Sequence, residues 1–379
     1  MSELYFDNSS TTKVCEQAAE KVLEMMTEHY GNPSSLHTMG FEAERELTAA
    51  RTAVAQLLGA KAEEITFTSG GTEANNLALF GAAHARQKRG NRIVTTAIEH
   101  PSVLNVMTQL EKEGFEVVYL KPDSEGHIAP QQLFEAVNAD TILVSMMAVN
   151  NEVGTILPID AAAQAIALAK APALLHVDAV QAFGKLPLKP SKSKIDLMSV
   201  SAHKIHGPKG VGALYVASNV HIVPRTFGGG QEKNLRPGTE AMPLIAGFGA
   251  AVKALPNLAK ETKSVAQINE YCRTELGKID GVTVNSPADA LPYILNFSTC
   301  SVRSETMLHF LASKQIFVSS GSACSKAKPS HVLAAMELSR DCINSSLRIS
   351  FSRYNTLEEA QTFIAALQQG LNEITKRPL

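Results

Sequence analysis

The chain has 379 residues, of which 45% are hydrophobic, and a formal net charge of -2 at pH 7. This length is sufficient for one large hydrophobic core and a smaller second one. The near-neutral charge argues against a polyanion-binding surface, so we expect no nucleic-acid partner. No apolar run is long enough to span a membrane, and the N-terminal residues lack the pattern of a signal peptide. The sequence therefore predicts a soluble, cytoplasmic protein with no membrane partner.

Five cysteines occur, at positions 15, 272, 300, 324 and 342. Their number is odd and no C-x-x-C pair is present, which argues against a disulfide framework and against a cysteine-based zinc site. We therefore expect reduced thiols and no bound metal. Four of the five are expected to be small buried apolar residues, and Cys324 is the exception.

The predicted elements begin with an amphipathic helix over 13–30 and a long helix over 40–58, ended by Gly31 and Gly59. Short apolar runs then alternate with helical patterns. Several of these runs are apolar almost throughout, which is typical of strands covered on both faces. The predicted strands lie near 65–68, 92–97, 116–120, 141–147, 173–177, 195–200 and 211–216. This alternation predicts a mostly parallel, seven-stranded sheet with right-handed crossovers.

A boundary helix is predicted near 253–263, and the remainder of the chain mixes helices with short strands. The last helix is predicted to begin at about 356. The sequence therefore predicts an α/β protein of two domains. A large domain would comprise residues 13–258, and a smaller α+β domain would comprise residues 1–12 and 259–379.

The stretch FTSGGTEANN, residues 67–76, ends a predicted strand in a Gly-Gly turn directly before a helix. Glycines let backbone N–H groups approach an anion closely, and a helix N-terminus favours negative charge. The spacing of a nucleotide P-loop is absent, so the pattern indicates a site for a single phosphate. A plain turn is the alternative for this stretch taken alone.

Asp178 closes the apolar strand of HVDAVQ, residues 176–181. A carboxylate in that position needs a cationic or hydrogen-bonding partner. A pyridinium N–H would serve, and a ring held protonated in this way is an electron sink for chemistry at an amino-acid Cα. Gln181, one helical turn later, would donate a hydrogen bond to a ring oxygen. An aspartate that only caps the following helix is the alternative.

Lys204 lies in SAHKIHGPKG, residues 201–210, a constrained loop between two predicted strands. A lysine in this position could form a Schiff base with an aldehyde cofactor and then act as a base. Ser201 and His203 would face the phosphate of such a cofactor. For one lysine taken alone, a solvated side chain is the alternative.

The order of these three motifs resembles that of fold-type I pyridoxal-phosphate enzymes. Together with EHPSVL, MAVNNEVG, GGGQEKNLRPGTE and SSGSACS, they resemble the class V aminotransferase superfamily, and within it the cysteine desulfurases of the NifS/IscS group. The resemblance extends from DNSSTT at 7–12 to LRISFSRYNTLEE at 347–359. It implies the fold-type I architecture, pyridoxal 5'-phosphate as the cofactor and L-cysteine as the substrate.

The resemblance also implies a role for each matching residue. Lys204 would hold the cofactor, Asp178 would contact its ring nitrogen, and His100 would stack on the ring. Arg348 would bind the substrate carboxylate, with Arg353 as the rival for that role. The other implied contacts are Gln181 and Asn150 at the ring oxygen and the substrate, Gly71, Thr72, Ser201 and His203 at the phosphate, and Thr239 at the phosphate of the other subunit. The last contact implies a homodimer.

Cys324 lies in VSSGSACSKAKPSH, a Ser- and Gly-rich stretch typical of an accessible, mobile loop. Lys326, Lys328 and His331 would supply the positive charge that favours a thiolate. The resemblance implies that Cys324 receives the sulfur of L-cysteine as a persulfide, so that the substrate becomes alanine. Cys324 would then pass the sulfur to an acceptor protein. Only SKAK separates it from Pro329, slightly less than in housekeeping members of the group. The acceptor stays open between an iron–sulfur scaffold, a tRNA-thiolation protein and another carrier.

Two other classes of protein stay open at this point. A selenocysteine lyase or a small-amino-acid aminotransferase would keep the cofactor and change the reaction, and an aminotransferase would not need Cys324. A non-catalytic binding protein would use the fold only as a scaffold. Replacing Cys324 distinguishes the first class, and the visible absorbance of a cofactor attached to Lys204 distinguishes the second.

Overall fold

The computed structural model describes residues 3–320 and 329–374. Cys324, Lys326 and Lys328 lie outside the described residues. The strands are β1 (Leu4–Tyr5), β2 (Ile65–Thr68), β3 (Arg92–Thr96), β4 (Glu116–Leu120), β5 (Thr141–Met147), β6 (Leu174–Asp178), β7 (Leu197–Ser201), β8 (Gly212–Val216), β9 (Thr283–Val284), β10 (Ile294–Ser298), β11 (Ile316–Phe317) and β12 (Ser346–Ser350). The helices are α1 (Glu16–Thr27), α2 (Thr38–Leu58), α3 (Gly71–Arg86), α4 (Pro101–Lys112), α5 (Pro130–Ala136), α6 (Ile159–Ala169), α7 (Met242–Lys253), α8 (Leu258–Leu276), α9 (Ser304–Ser313), α10 (His331–Ala335), α11 (Arg340–Asn344) and α12 (Leu357–Glu373).

The largest sheet has seven strands in the order β2-β8-β7-β6-β5-β3-β4. Strand β8 runs antiparallel to both of its neighbours, and every other pair is parallel. The α/β fold class and the mostly parallel sheet are therefore confirmed. Because β2 and β7 are both antiparallel to β8, the carboxyl ends of β2, β3, β5, β6 and β7 lie at one edge. Ligands of open α/β sheets bind at such an edge.

The central strands are buried along their whole length, as their apolar sequences predict. Every residue of β5, β6 and β7 is buried. Successive residues of a strand face opposite sides, so Ile93 belongs to one hydrophobic core and its neighbour Val94 to the other. Helices cover both faces, which leaves the ends of the strands as the place where polar side chains converge.

A second group of strands lies outside the main sheet. Strands β12, β10 and β9 form an antiparallel sheet, and β1 pairs with β11 in parallel. Asp7 bridges to Ser350, and the ring of Phe6 lies 5.9 Å from that of Phe351 and 5.7 Å from that of Phe363, measured between centroids. These pairings support the proposed assignment of the first dozen residues to the smaller domain.

Two predicted helices have different limits in the structure. The first is α1, which is shorter than the predicted 13–30. Its start is delayed because the backbone N–H groups of Thr12 and Cys15 donate to the carbonyls of His203 and His206, at 3.0 and 2.9 Å. Those hydrogen bonds hold the preceding residues extended beside the loop that carries Lys204.

The predicted boundary helix at 253–263 is wrong, because the chain breaks there between α7 and α8. Pro256 has no N–H to continue a helix, and the Asn257 side chain accepts a hydrogen bond from the N–H of Lys260 at 3.2 Å, which begins a new one. Helices α7 and α8 meet at 82°. Among residues 3–320 and 329–374, no single helix has the length and apolarity to cross a membrane, although this bent pair passes on length and composition taken together.

Candidate active site

Polar residues from five separate parts of the chain converge at the carboxyl edge of the main sheet. Gly71 begins α3 after β2, and His100 caps the start of α4 after β3. Asn150 follows β5, Asp178 ends β6, and Lys204 ends a short turn after β7. The parallel topology therefore brings together the residues that the sequence motifs singled out.

The start of α3 presents backbone N–H groups at this edge. Gly71 and Thr72 occupy its first turn, where N–H groups have no partner within the helix. A Cβ atom on Gly71 would lie 2.6 Å from Cγ2 of Val180, so only glycine lets this turn approach the segment after β6 so closely. The first turn of α3 is thus shaped as an anion site next to Asp178.

Buried polar atoms at the same edge lack partners within the protein. Ser201 Oγ and Gln181 Oε1 are both buried, with no hydrogen-bond partner in the described part of the chain. Burying such atoms unpaired is costly, so they fit a polar ligand. His203 lies nearby in sequence, with Nδ1 at 3.2 Å from Thr11 Oγ1. Burial lowers the pKa of His203 to about 3, and the charge of Lys204 adds to that effect, so the imidazole is neutral.

A chain of hydrogen bonds connects Asp178 to His100. Asn75 Nδ2 donates to Asp178 Oδ2 at 2.8 Å and to Ser102 Oγ at 2.9 Å. Ser102 Oγ in turn lies 2.8 Å from Nδ1 of His100. Burial lowers the pKa of His100, which Asp178 opposes. Sequence reasoning missed Asn75 and Ser102, although both lie in the quoted motifs, because an uncharged side chain gives no signal of its own.

Lys204 is buried against the N-terminal segment. Its Nζ donates to the backbone carbonyls of Ser9 and Ser10, the latter at 2.8 Å. Burial lowers the pKa of Lys204 to about 7, and the positive charges of Arg348 and Lys185 add to this effect. A large fraction of the amine is therefore neutral near pH 7, as a nucleophile or a base requires.

A second buried lysine, which sequence reasoning missed, lies close to the first. Lys185 and Lys204 line one small cavity and are only 8% and 9% exposed. The Nζ atom of Lys185 lies 5.4 Å from the centroid of the Tyr293 ring. Burial lowers the pKa of Lys185 to about 8, which Glu261 opposes. Lys185 lies four residues after the HVDAVQ motif, and the apolar residues around it gave no sign of a buried charge.

Arg348 is a buried residue of β12 and contacts the same N-terminal segment as Lys204. Its Nη2 atom donates to Asp7 Oδ1 at 2.8 Å and to Ser10 Oγ at 2.7 Å, and Nη1 donates to the carbonyl of Asn151 at 2.8 Å. The arginine of this ion pair is buried, and the Asp7 side chain is 22% exposed. Arg353, the rival for carboxylate binding, instead donates to a carbonyl at the end of α7. A substrate carboxylate at Arg348 would have to compete with Asp7.

Asn150 and Thr239 occupy contrasting environments. Asn150 is fully buried, and its side-chain amide already forms hydrogen bonds to backbone groups. Oδ1 accepts from the N–H groups of Glu152 and Val153, and Nδ2 donates to the carbonyl of Ile98 at 3.0 Å. Contact with a ligand would require Asn150 to exchange one of these bonds. Thr239 is exposed on a loop, where it can reach another molecule.

Both described flanks of the segment that contains Cys324 contact the site. On one side, Ser319 pairs with the backbone of Arg348, with its N–H at 3.1 Å from the Arg348 carbonyl. On the other side, His331 Nε2 lies 2.9 Å from the carbonyl of Glu99, the residue before His100. Cys324 follows Ser319 by five positions in the sequence and lies outside the described residues.

Known proteins are similar to this chain over almost its whole length. The family model described as aminotransferase class-V matches residues 4–363. A protein of Vibrio atlanticus named cysteine desulfurase IscS is 42% identical, over 98% of this chain and 93% of its own. A solved structure described as a NifS-like protein has a TM-score of 0.93 and 38% identity, covering 98% of this chain and 100% of its own. A second structure, described as SspA in complex with cysteine, has a TM-score of 0.83 and 36% identity, covering 94% and 100%.

Each of these matches exceeds what a shared fold alone would give, because sequence identity extends across both the main sheet and the smaller strands. The matched range also contains the lysine, aspartate and histidine that the strand ends bring together. The chain therefore belongs to the class-V aminotransferase family and, within it, to the NifS/IscS group.

Proposed function

We propose that this protein is a pyridoxal-phosphate-dependent cysteine desulfurase, which converts L-cysteine to L-alanine and holds the released sulfur as a persulfide on Cys324. The observation that carries the proposal is the pair formed by Lys204 and Asp178. A buried lysine whose pKa is lowered to about 7 lies at the same strand edge as a buried carboxylate. Relatives named cysteine desulfurase and a similar structure with bound cysteine support the same reaction.

The residues at the strand edge fit the cofactor. We propose that Lys204 attaches to its aldehyde, that Asp178 accepts a hydrogen bond from its ring nitrogen, and that His100 lies against its ring. The phosphate would bind to the backbone N–H groups of the first turn of α3, to the Ser201 hydroxyl and to the neutral His203. Gln181 and Asn150 are the proposed contacts of the ring oxygen and the substrate, and Arg348 is the proposed partner of the substrate carboxylate.

When bound, pyridoxal phosphate withdraws electrons from the Cα of the substrate and makes its proton acidic. Lys204 supplies the base, because its amine is neutral above about pH 7 and can take that proton at Nζ. Asn75 positions Asp178 by donating to its Oδ2 atom, and Val180 N–H holds the other carboxylate oxygen at 3.0 Å. Both carboxylate oxygens of Asp178 are therefore held in place by hydrogen bonds before a ligand binds.

The sulfur transfer belongs to Cys324. Its thiolate would attack the sulfur of the substrate cysteine, so that an S–S bond forms and the substrate Cβ–S bond breaks. The electron pair stays on the substrate, which gains protons and leaves as alanine. One thiol and one cysteine thereby become one persulfide and one alanine, with no external oxidant. An acceptor protein, either an iron–sulfur scaffold or a thiolation carrier, would then take the sulfur.

Replacing Cys324 with alanine should abolish alanine formation from L-cysteine while the protein keeps its cofactor absorbance. The reason is that only the sulfur acceptor is removed and the cofactor contacts are intact. Alanine release is measured by amino-acid analysis, with Cys272→Ala as the matched control because that cysteine is buried in α8. Undiminished turnover of cysteine would contradict the role of Cys324 and favour the rival enzyme classes, and a preference for selenocysteine over cysteine in the same assay would favour a lyase.

Replacing Lys185 with methionine should move the attachment of the cofactor to a higher pH. The attachment requires a neutral Lys204 amine, so its rate in the apoprotein should rise with pH through about 7. Lys185 lowers the pKa of Lys204 by charge repulsion, and removing it raises that pKa. The measurement is the rate of absorbance change after pyridoxal phosphate is added at a series of pH values. Lys209→Met, which removes an exposed charge from the same loop, should leave the midpoint in place; an equal shift in both variants would contradict a specific role for Lys185.

We also propose that the protein is a homodimer, in which Thr239 reaches the phosphate site of the other subunit. Large apolar side chains are exposed along α1, α2 and the loop between them, including Leu23, Met26, Tyr30 and Phe41 at 62%, 62%, 69% and 64%. A concentration of exposed apolar side chains in one stretch of the chain is typical of an interface.

The dimer proposal predicts that Phe41→Glu shifts the protein towards a monomer and weakens cofactor retention. A buried charge in the interface would oppose association. Light scattering gives the mass, and Leu168→Glu serves as the control, since Leu168 is 74% exposed on α6, outside the α1–α2 surface. A Phe41→Glu protein of unchanged mass would contradict the interface.

A further inference from the structure

Cys300 and Cys342 lie in direct contact at the end of the smaller sheet. Their Sγ atoms are 3.3 Å apart, although 42 positions separate them in the chain. Sequence reasoning expected both to be buried apolar residues, and both are instead only partly buried. Cys15 and Cys272, by contrast, are 2% and 0% exposed, as expected. Among the cysteines that the structure describes, this pair is therefore the one that reagents in solution can reach.

The backbone on both sides of the pair is held in place by hydrogen bonds. The N–H of Cys300 donates to Ser345 Oγ at 2.9 Å, and Ser298 Oγ donates to the carbonyl of Cys342 at 2.7 Å. The N–H of Cys342 donates to Ser339 Oγ at 3.2 Å. A disulfide bond is about 2.0 Å long, so the sulfurs need to approach by little more than 1 Å, about what side-chain rotation provides.

Cys300 also has an unusual backbone conformation. Its φ angle is +49°, in the left-handed region that non-glycine residues seldom adopt. The residue follows β10, and this turn directs its thiol towards α11. A conformation of this kind persists only where neighbouring contacts hold it, and here those contacts orient one thiol towards the other.

We propose that Cys300 and Cys342 are a redox-active dithiol that closes to a disulfide by exchange with a low-molecular-weight disulfide. In the first step the Cys342 thiolate attacks one sulfur of the reagent, which forms a mixed disulfide and releases one thiolate. In the second step the Cys300 thiolate attacks the Cys342 sulfur, which forms the protein disulfide and releases the second thiolate. Two protein thiols are oxidised, the reagent is reduced to two thiols, and no other oxidant is needed.

The electrostatics support this order of attack. Burial and the neighbouring Cys342 together raise the pKa of Cys300 to about 11. Cys300 therefore holds its proton while the other sulfur reacts. Once Cys342 carries a neutral mixed disulfide, its sulfur no longer disfavours a thiolate at Cys300. The second step is intramolecular, and the two sulfurs are already in contact.

The bond would join the end of β10 to α11, directly before β12. Strand β12 pairs with β10, with Ser346 opposite Ser298 and Arg348 opposite Asn296. A disulfide at this end would therefore tie together the two strands of the sheet that carries Arg348. Closing a chain loop of this length stabilises the folded state by restricting the unfolded one.

The test uses the holoenzyme carrying Cys324→Ser, so that the proposed sulfur carrier does not react and the outcome is independent of the proposed function. The protein is incubated with oxidised glutathione at graded ratios to reduced glutathione and analysed by intact and peptide mass spectrometry. We expect a loss of two hydrogen atoms, a cross-linked peptide pair containing Cys300 and Cys342, a higher Tm, and full reversal by dithiothreitol.

The matched controls add Cys300→Ser or Cys342→Ser to the same background. Each single variant should gain one glutathione in place of the internal cross-link, and neither should show the rise in Tm. Two glutathione adducts on the parent protein, or thiols at 300 and 342 that stay unmodified at every ratio, would overturn the proposal.

Discussion

Replacing Lys204 with alanine should remove the covalent attachment of pyridoxal phosphate and lower kcat for alanine formation by at least about 10²–10⁴-fold, the range for loss of a general acid–base group. Lys204 has two proposed roles, attachment of the cofactor and removal of the substrate proton, and both require its amine to be neutral. That amine is available near neutral pH because burial and two neighbouring positive charges disfavour the ammonium form. Removing it leaves the carbonyl of Ser10 without its lysine donor, whereas the carbonyl of Ser9 keeps the hydrogen bond from Gln181 Nε2 at 3.0 Å.

The matched control for this variant is Lys209→Ala, which lies on the same loop and is exposed. It should keep both the visible absorbance of the attached cofactor and the rate. The absorbance spectrum and single-turnover kinetics are measured on dialysed protein, so that free cofactor does not contribute. If Lys204→Ala retained the protein-bound absorbance, the site would lie on another lysine.

Replacing Asp178 with asparagine should lower kcat by about 10²–10³-fold, a typical loss for one preorganised electrostatic contact. The amide has nearly the same shape but cannot hold a positive charge on a ring nitrogen. It also disturbs the protein, since Asn75 Nδ2 and the N–H of Val180 both donate to this side chain, and an amide accepts at only one end. The unpaired donor should cost about 1–3 kcal/mol of unfolding free energy, measured by urea titration.

Asp196→Asn separates these two effects. Asp196 is a half-buried carboxylate before β7 that accepts a hydrogen bond from the N–H of Leu175 at 2.8 Å, and its partial burial raises its pKa. Its replacement should change stability without changing the absorbance of the bound cofactor. A spectrum and a rate for Asp178→Asn equal to those of the control would show that Asp178 acts only on the fold.

The main sheet followed from local patterns. Runs such as TILVSMM read as buried strands because both faces of β5 are covered, and the structure places that strand at Thr141–Met147. The prediction of a boundary helix was wrong because it relied on composition, which does not show that Pro256 ends one helix and that Asn257 caps the next. The start of α1 could not be predicted, since it depends on hydrogen bonds to His203 and His206, nearly two hundred residues away.

The site was predictable to the extent that its residues carry charge at a strand end. Asp178 and Lys204 stood out for that reason, whereas His100 was named only through the family resemblance, and the topology brings all three to one edge. The residues that position them did not stand out. Asn75 and Ser102 act through uncharged hydrogen bonds, and the role of Ser9 and Ser10 depends on backbone carbonyls that no side-chain pattern reveals.

Lys185 is the most informative residue that sequence reasoning missed. Lys185 is only 8% exposed and lies beside another lysine, whereas lysine side chains usually lie in solvent. Its position depends on the Tyr293 ring and on Glu261, both supplied by the other group of elements. Only the tertiary structure brings that ring and that carboxylate to the end of β6.

The most direct test is to reduce the holoenzyme with borohydride, digest it and locate the lysine that carries the pyridoxyl group. An amine attaches to the cofactor in its neutral form, and the structure places two lysines with lowered pKa values, Lys185 and Lys204, in one cavity. We predict that the label lies on Lys204 alone. A label on Lys185, or on no lysine at this strand edge, would contradict the account.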